Sequence, residues 1–239
     1  MIRTFVSVIF VFMCACLVGA PNTHAEENTP QVPATEIHKP SLIQNVSLIR
    51  SNERISRNSA VSVENLEGGH GSGTYVKHND HYGVLTARHV VDRSNIFYIS
   101  SGSEKVVGQV IWKSETHDIA LLRVPKMDSR RAINISRHDT TLVIGSEVVY
   151  SGYPASYDLI TTRAYVSGHA PRHKATLLHG FVWFGYSGSG VFDEMGNLVG
   201  VVVAVGVEHF QDIPQVLEDL VYIHELNTEH IVKIRHALR

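Results

Sequence analysis

From about Ala60 the chain is written in short, valine-rich runs of strand length. Gly, Asn, Asp and Ser interrupt them at short intervals. Runs of that length, rich in β-branched and aromatic residues and bounded by turn formers, are the signature of an all-β fold. Ser72-Gly73-Thr74-Tyr75-Val76 and Tyr82-Gly83-Val84-Leu85-Thr86 flank His78-Asn79-Asp80-His81, which reads as a hairpin turn. Further strands are expected at Val106–Trp112, Ile119–Val124, Glu147–Gly152, Thr161–Ser167, Phe181–Phe184, Gly190–Phe192 and Leu198–Val205. Asp193-Glu194-Met195-Gly196-Asn197 is a turn between the last two, and polar Pro125–Asp139 reads as a connector between two halves. From Pro214 the texture changes. Val216, Leu217, Leu220, Val221, Ile223 and Leu226 recur at helical spacing, and Ile231, Ile234 and Leu238 continue it. This predicts one or two C-terminal helices packed on the second half.

Composition bounds the rest. The 239 residues, 44% hydrophobic and 18% charged, suffice for one good-sized core or two small fused ones. A net charge of −2 without a long basic run carries no nucleic-acid footprint. Arg3, the uncharged 16 residues Phe5–Ala20 and the small–x–small triplet Thr23-His24-Ala25 read as an export signal cleaved before Glu26. The apolar run is shorter than a membrane-spanning helix requires, so no stable span is expected after cleavage. Alternatives are an uncleaved anchor, or a lipoprotein site with Cys16 as the lipidated residue. Both cysteines, Cys14 and Cys16, fall in this segment, so the mature chain would carry none and would rely on its packed core. Residues 26–55, with Pro30, Pro33 and Pro40, read as a linker or arm. The resulting organisation is signal 1–25, arm 26–55, first β-unit 56–132, second β-unit 133–210 and helical segment 211–239.

Three short motifs stand out against this background. Thr86-Ala87-Arg88-His89 is followed 29 residues after the histidine by Asp118, in His117-Asp118-Ile119-Ala120-Leu121-Leu122. Ser187 follows 69 residues later, in Gly185-Tyr186-Ser187-Gly188-Ser189-Gly190. A serine hydroxyl is a weak nucleophile unless a base reaches it and a third group orients that base. Ser187, His89 and Asp118 have the residue types for these roles. The N–H groups of Gly185 and Ser187 would face the developing oxyanion, and the surrounding glycines permit the tight turn this requires.

These residues carry a family resemblance. Gly71-Ser72-Gly73-Thr74, Val84–Val91, Asp118–Leu122, Gly152-Tyr153-Pro154 and Ser187–Phe192 followed by Gly196 and Gly200 resemble motifs of the trypsin-like (chymotrypsin-fold) serine peptidases. The similarity is closest to the bacterial HtrA-type and glutamyl-endopeptidase branches, without a PDZ module. It implies two six-stranded antiparallel β-barrels with a His89–Asp118–Ser187 triad in the cleft between them. It also implies a serine endopeptidase acting on protein or peptide substrates outside the cytoplasm, with no cofactor. Tyr186, Gly190 and Arg88 depart from the family's usual residues. By the same resemblance Phe181 sets the floor of the specificity pocket, and Val202, Val203, Ala204 and Val205 its walls. With no charge among them, the pocket is expected to take small apolar side chains.

Competing readings are an inactive barrel that binds through its cleft, and an esterase. The second fails because Ser189 stands where Gly-x-Ser-x-Gly needs its last glycine and because the Ser…Asp…His order is not met. The fifteen histidines, including the groups His70, His78, His81 and His169, His173, His179, lack any metal-binding spacing and are expected to be loop residues, not ligands.

Overall fold

The computed structural model describes residues 50–239 except 66, 137–141 and 211–212. The export signal, Cys14, Cys16 and most of the arm lie outside the described residues. Two closed, six-stranded antiparallel β-barrels make up most of the molecule. The first contains β1 (Ala60–Glu64), β2 (His70–His78), β3 (His81–Thr86), β4 (Ile96–Ser101), β5 (Glu104–Lys113) and β6 (Ala120–Arg123). Its strand order is β1-β4-β5-β6-β3-β2, and β1 pairs back onto β2 to close it. The short β7 (Ile133–Asn134) adds to β2 in parallel. The second barrel contains β8 (Glu147–Gly152), β9 (Ile160–Ala170), β10 (Ala175–His179), β11 (Gly190–Phe192), β12 (Leu198–Phe210) and β13 (Ile213–Glu225), closed in the order β10-β13-β12-β11-β8-β9. Closure removes the exposed edges that an open sheet would offer to other chains.

The strands follow period-two burial. On β4, Phe97 and Ile99 point into the core; on β9, Ala164 and Val166 do so. One contiguous apolar cluster fills the first barrel and runs on into Phe192, Leu198, Val201, Val203 and Tyr222 of the second. The barrels therefore share buried surface where they meet. A second cluster, built on Tyr150, Val166, Leu178, Tyr186, Val191 and Val221, fills the second barrel.

Each end of the described chain crosses over. Helix α1 (Ser51–Ser59) precedes the first barrel but docks on the second. Its Ser56 hydroxyl donates to Ser151 Oγ at 2.8 Å, Arg57 reaches Thr161 Oγ1 at 2.8 Å, and Glu53 pairs with Arg163. Helix α2 (Thr228–Ala237) follows the second barrel but docks on the first. Ile231, Ile234 and Leu238 join the first-barrel cluster, and Arg123 donates to the Ala237 carbonyl at 2.9 Å. Separating the barrels would strip both helices from their seats.

Three expectations are corrected. Residues 213–225 are strand, not helix, and α2 packs on the first half, not the second. The apparent helical spacing comes from a bulge. Leu217 pairs with Gly206 and Val221 with Val205, so the residues between them are surplus on β13. The carbonyls of Glu218 and Asp219 turn away to accept from Val182 and Gly180. A surplus loop in one strand breaks the two-residue alternation and places apolar residues four apart on one face. Phe181–Phe184, expected as a strand, is a loop that leads into the Gly185 turn.

Candidate active site

The His89 and Ser187 motifs converge on two residues of β2, Gly71 and Ser72. Thr86, the last residue of β3, donates from Oγ1 to the Ser72 carbonyl at 2.7 Å. A Cβ built on Gly71 would lie 2.8 Å from Val90, beside His89, and 3.0 Å from the Ser187 carbonyl. The Ser72 N–H donates to that same carbonyl at 2.8 Å. The His89 turn and the Ser187 loop, from different barrels, therefore meet across one strand end.

His89 sits in a short 3-10 turn (Arg88–Val91). Its Nδ1 lies 2.6 Å from Asp118 Oδ2, and its main-chain N–H donates to Asp118 Oδ1 at 2.8 Å. Burial raises the Asp118 pKa, but the His89 hydrogen bonds and charge outweigh it and hold the carboxyl below its ordinary value. An ionised carboxylate only accepts, so Nδ1 carries the proton and Nε2 is the basic nitrogen of His89.

The serine loop is wound tightly. Tyr186, Gly188 and Ser189 donate to the carbonyls of Trp183, Val202 and Tyr186. Among the described residues, the N–H groups of Gly185 and Ser187 donate to no main-chain acceptor. Gly185 (φ +100°) and Gly188 (φ +93°) have backbone angles that a side chain rarely permits. A Cβ on Gly188 would also lie 2.0 Å from the Ser72 carbonyl oxygen. Ser187 is half-buried, whereas Ser189 is 0% exposed and its hydroxyl has no partner among the described residues. Of the two serines, only Ser187 is open to a substrate.

The five residues expected to form the specificity pocket do not share one surface. Phe181 is 46% exposed, its ring edge-on to Tyr186 and its carbonyl accepting from the Tyr150 hydroxyl at 2.5 Å. Val202 is fully buried in the second-barrel cluster, so the expectation that its side chain lines an open wall is not met. Its main chain instead braces the serine loop, accepting from Gly188 and donating to Ser189. Val203 is buried on the inter-barrel side, and Ala204 and Val205 are partly exposed. β12 pairs with β11 only over Leu198–Val201. Beyond that, among the described residues, it has β13 on one side and no strand on the other.

Sequence reasoning missed Ser72 and His224. Ser72 is completely buried; its Oγ donates to the Gly185 carbonyl at 2.7 Å and accepts from Tyr153 N–H at 2.9 Å. Its signal was the Gly-Ser-Gly run, read only as a family mark. His224 Nδ1 accepts from the Asp118 N–H at 2.7 Å, a contact that nothing near His224 in sequence announces. Among the described residues, no group of three or more His, Cys, Asp or Glu side chains is placed to hold a metal ion.

Two barrels with these motifs at their junction define a chymotrypsin-like fold. Residues 71–201, more than half of the chain, match the trypsin-like peptidase domain model, and the chain belongs to that family. It is 29% identical over 152 residues to proteins named "Serine protease HtrA-like" from Staphylococcus aureus, for example strains USA300 and N315. That match covers 56% of this chain but only 20% of the relatives, so the chain spans about a fifth of their length. Among solved structures, an inactive form of Rv3671c from M. tuberculosis H37Rv superposes with a TM-score of 0.59 at 18% identity, covering 81% of this chain and 92% of that one. A serine endoprotease from Yersinia pestis gives 0.58 at 19%, covering 78% and 65%.

Proposed function

We propose that this protein is a serine endopeptidase in which Ser187 is the nucleophile, His89 the general base and Asp118 the group that orients it. The observation that carries this reading is the 2.6 Å His89 Nδ1–Asp118 Oδ2 contact, set in a turn that meets the Ser187 loop at Gly71–Ser72. In the reaction, Ser187 Oγ adds to the scissile carbonyl while its proton passes to His89 Nε2. The imidazolium so formed is stabilised by Asp118 and returns the proton to the leaving amine, and water then releases the acyl group by the same route. The N–H groups of Gly185 and Ser187 are the proposed oxyanion donors. The relatives' name, serine protease, agrees with this chemistry.

Substrates on this reading are proteins or peptides bound as an added strand along Val203–Val205 of β12, where one side lacks a partner strand. The side chain entering the pocket is small and apolar, since Phe181, Ala204 and Val205, the members of the expected set that are not buried, offer no charge to pair with. The chain works outside the cytoplasm after cleavage before Glu26. No helix among the described residues is long and apolar enough to cross a membrane. N-terminal sequencing of the exported protein should start within a few residues of Glu26; a lipidated Cys16 or an intact Met1 would contradict this.

Hydrolysis of an unfolded protein substrate tests the catalytic assignment. Ser187→Ala, with the fold intact, should lower the rate by about 10⁴–10⁶-fold. Ser189→Ala should leave it within about tenfold, because that hydroxyl is buried and unpartnered. Loss of activity confined to Ser189→Ala would overturn the assignment.

A further inference from the structure

Asp118 is held at two ends. Its carboxylate takes both His89 donors, and its own main-chain N–H is taken by a residue of the other barrel, His224 on β13. His224 is 9% exposed, and its second nitrogen, Nε2, lies 3.3 Å from the His173 carbonyl. Those two contacts fix the tautomer. Nδ1 must offer a lone pair to the Asp118 N–H, so the proton sits on Nε2 and points at His173. His117, next to Asp118, stands edge-on to the His224 ring at 5.3 Å and to the His230 ring at 4.7 Å. His117 also lines a surface cavity of about 270 Å³, together with His169, Lys174 and Glu225.

We infer that His224 is a positioning residue for the triad: while neutral it anchors the Asp118 peptide across the barrel junction, and when protonated it lets go. A doubly protonated ring would set an N–H against the Asp118 N–H, and two donors cannot bond each other. The inference rests on the proposed triad, because it acts only through Asp118 and His89. Charged and titratable groups from the neighbouring elements act on this ring: Asp118 and His117 from the loop before β6, His173 and Lys174 from the turn after β9, and His230 from α2. Burial, with His117 and Lys174, pushes His224 below the ordinary histidine value, and the His173 carbonyl and Asp118 pull the other way. His224 is therefore held neutral below the ordinary histidine range, and its contact with the Asp118 N–H is lost on further acidification.

The test is the second-order rate at which a fluorophosphonate labels Ser187, measured on the full chain from pH 4 to pH 9. His224→Leu removes the acceptor and should label about 10–100-fold more slowly at pH 8, the cost of a small displacement of a catalytic group. His224→Gln keeps an acceptor oxygen without a titrating proton and should stay within about threefold of the natural protein there. The acid limb is the readout that a purely structural role would not move. In the natural protein its slope should steepen from one towards two as pH falls, because two histidines must both be neutral; in His224→Gln it should stay at one. If His224→Leu does not fold, the His224→Gln acid limb decides. A labelled natural protein whose acid limb matches that of His224→Gln, or a folded His224→Leu at natural rates, would overturn the role of His224 alone. A natural protein that the probe does not label at Ser187 at any pH would overturn the serine-peptidase reading beneath it.

Discussion

The Ser72 N–H of the first barrel donates to the Ser187 carbonyl of the second at 2.8 Å. The Ser72 hydroxyl then spans Gly185 and Tyr153, so one buried side chain ties the serine loop to the β2 end and to the turn after β8. Ser72→Ala leaves the Tyr153 N–H and the Gly185 carbonyl without that partner. It should cost about 2–4 kcal/mol in urea-unfolding stability, since each buried polar group left unpaired costs roughly 1–3. Unchanged stability would mean that the loop does not depend on this bridge.

At Gly188 the serine loop passes close to Ser72 of the first barrel. Gly188→Ala puts a methyl 2.0 Å from a main-chain oxygen that cannot swing aside, at a φ of +93°. Strain and clash together should remove about 3 kcal/mol or more, seen as a lower melting temperature or loss of soluble protein. Gly68→Ala, also at positive φ but with open space around it, should lose only about 1–2 kcal/mol. Equal losses in the two variants would contradict the close approach.

Asp118 sets the tautomer of His89. Asp118→Asn should preserve the fold while lowering kcat by about 10⁴-fold, because the amide turns a donor towards Nδ1 and moves the proton to Nε2. A variant within about tenfold of the natural rate would show that His89 is oriented by something else.

His230 makes a stability prediction. It is 2% exposed, and burial, then the His117 ring, lowers its pKa from 6.5 to about 4. The unfolded chain therefore takes up a proton below about pH 6.5 that the folded chain refuses until about pH 4. The His230 contribution is whole above pH 6.5, drains away between these values and falls no further below pH 4. Between pH 7 and pH 5, His230→Gln should lose about 1–2 kcal/mol less stability than the natural protein. Parallel losses would place the acid sensitivity elsewhere.

What could be read from the sequence was what local pattern and motif encode. The β2–β3 hairpin about Asn79-Asp80 and the strands ending in Thr86 and beginning near Ala120 follow from short-range signals, and the pairing of His89 with Asp118, 29 residues apart, from the family resemblance of their motifs. The β13 bulge did not, because its surplus residues are pulled out by partners at Gly180 and Val182 that no local period reveals. The seat of α2 on the first barrel escaped for a related reason. Its apolar stripe was legible, but the stripe does not say which barrel it covers. Val202 looked like a pocket wall by position, yet strand alternation turned it into the core. Ser72 and His224 act through contacts 113 and 106 residues away in sequence, a range at which only a folded structure brings partners together.

The central claim is that Ser187 is an activated nucleophile, and the most direct measurement is mass-spectrometric mapping of the residue modified by a fluorophosphonate at pH 8. We expect a single adduct on the peptide containing Ser187, absent from Ser187→Ala and from protein unfolded in urea, and slowed in Asp118→Asn. An unmodified Ser187 in folded protein, or an adduct on Ser189 instead, would contradict the account and point to a barrel pair that binds without cutting or to a misassigned loop.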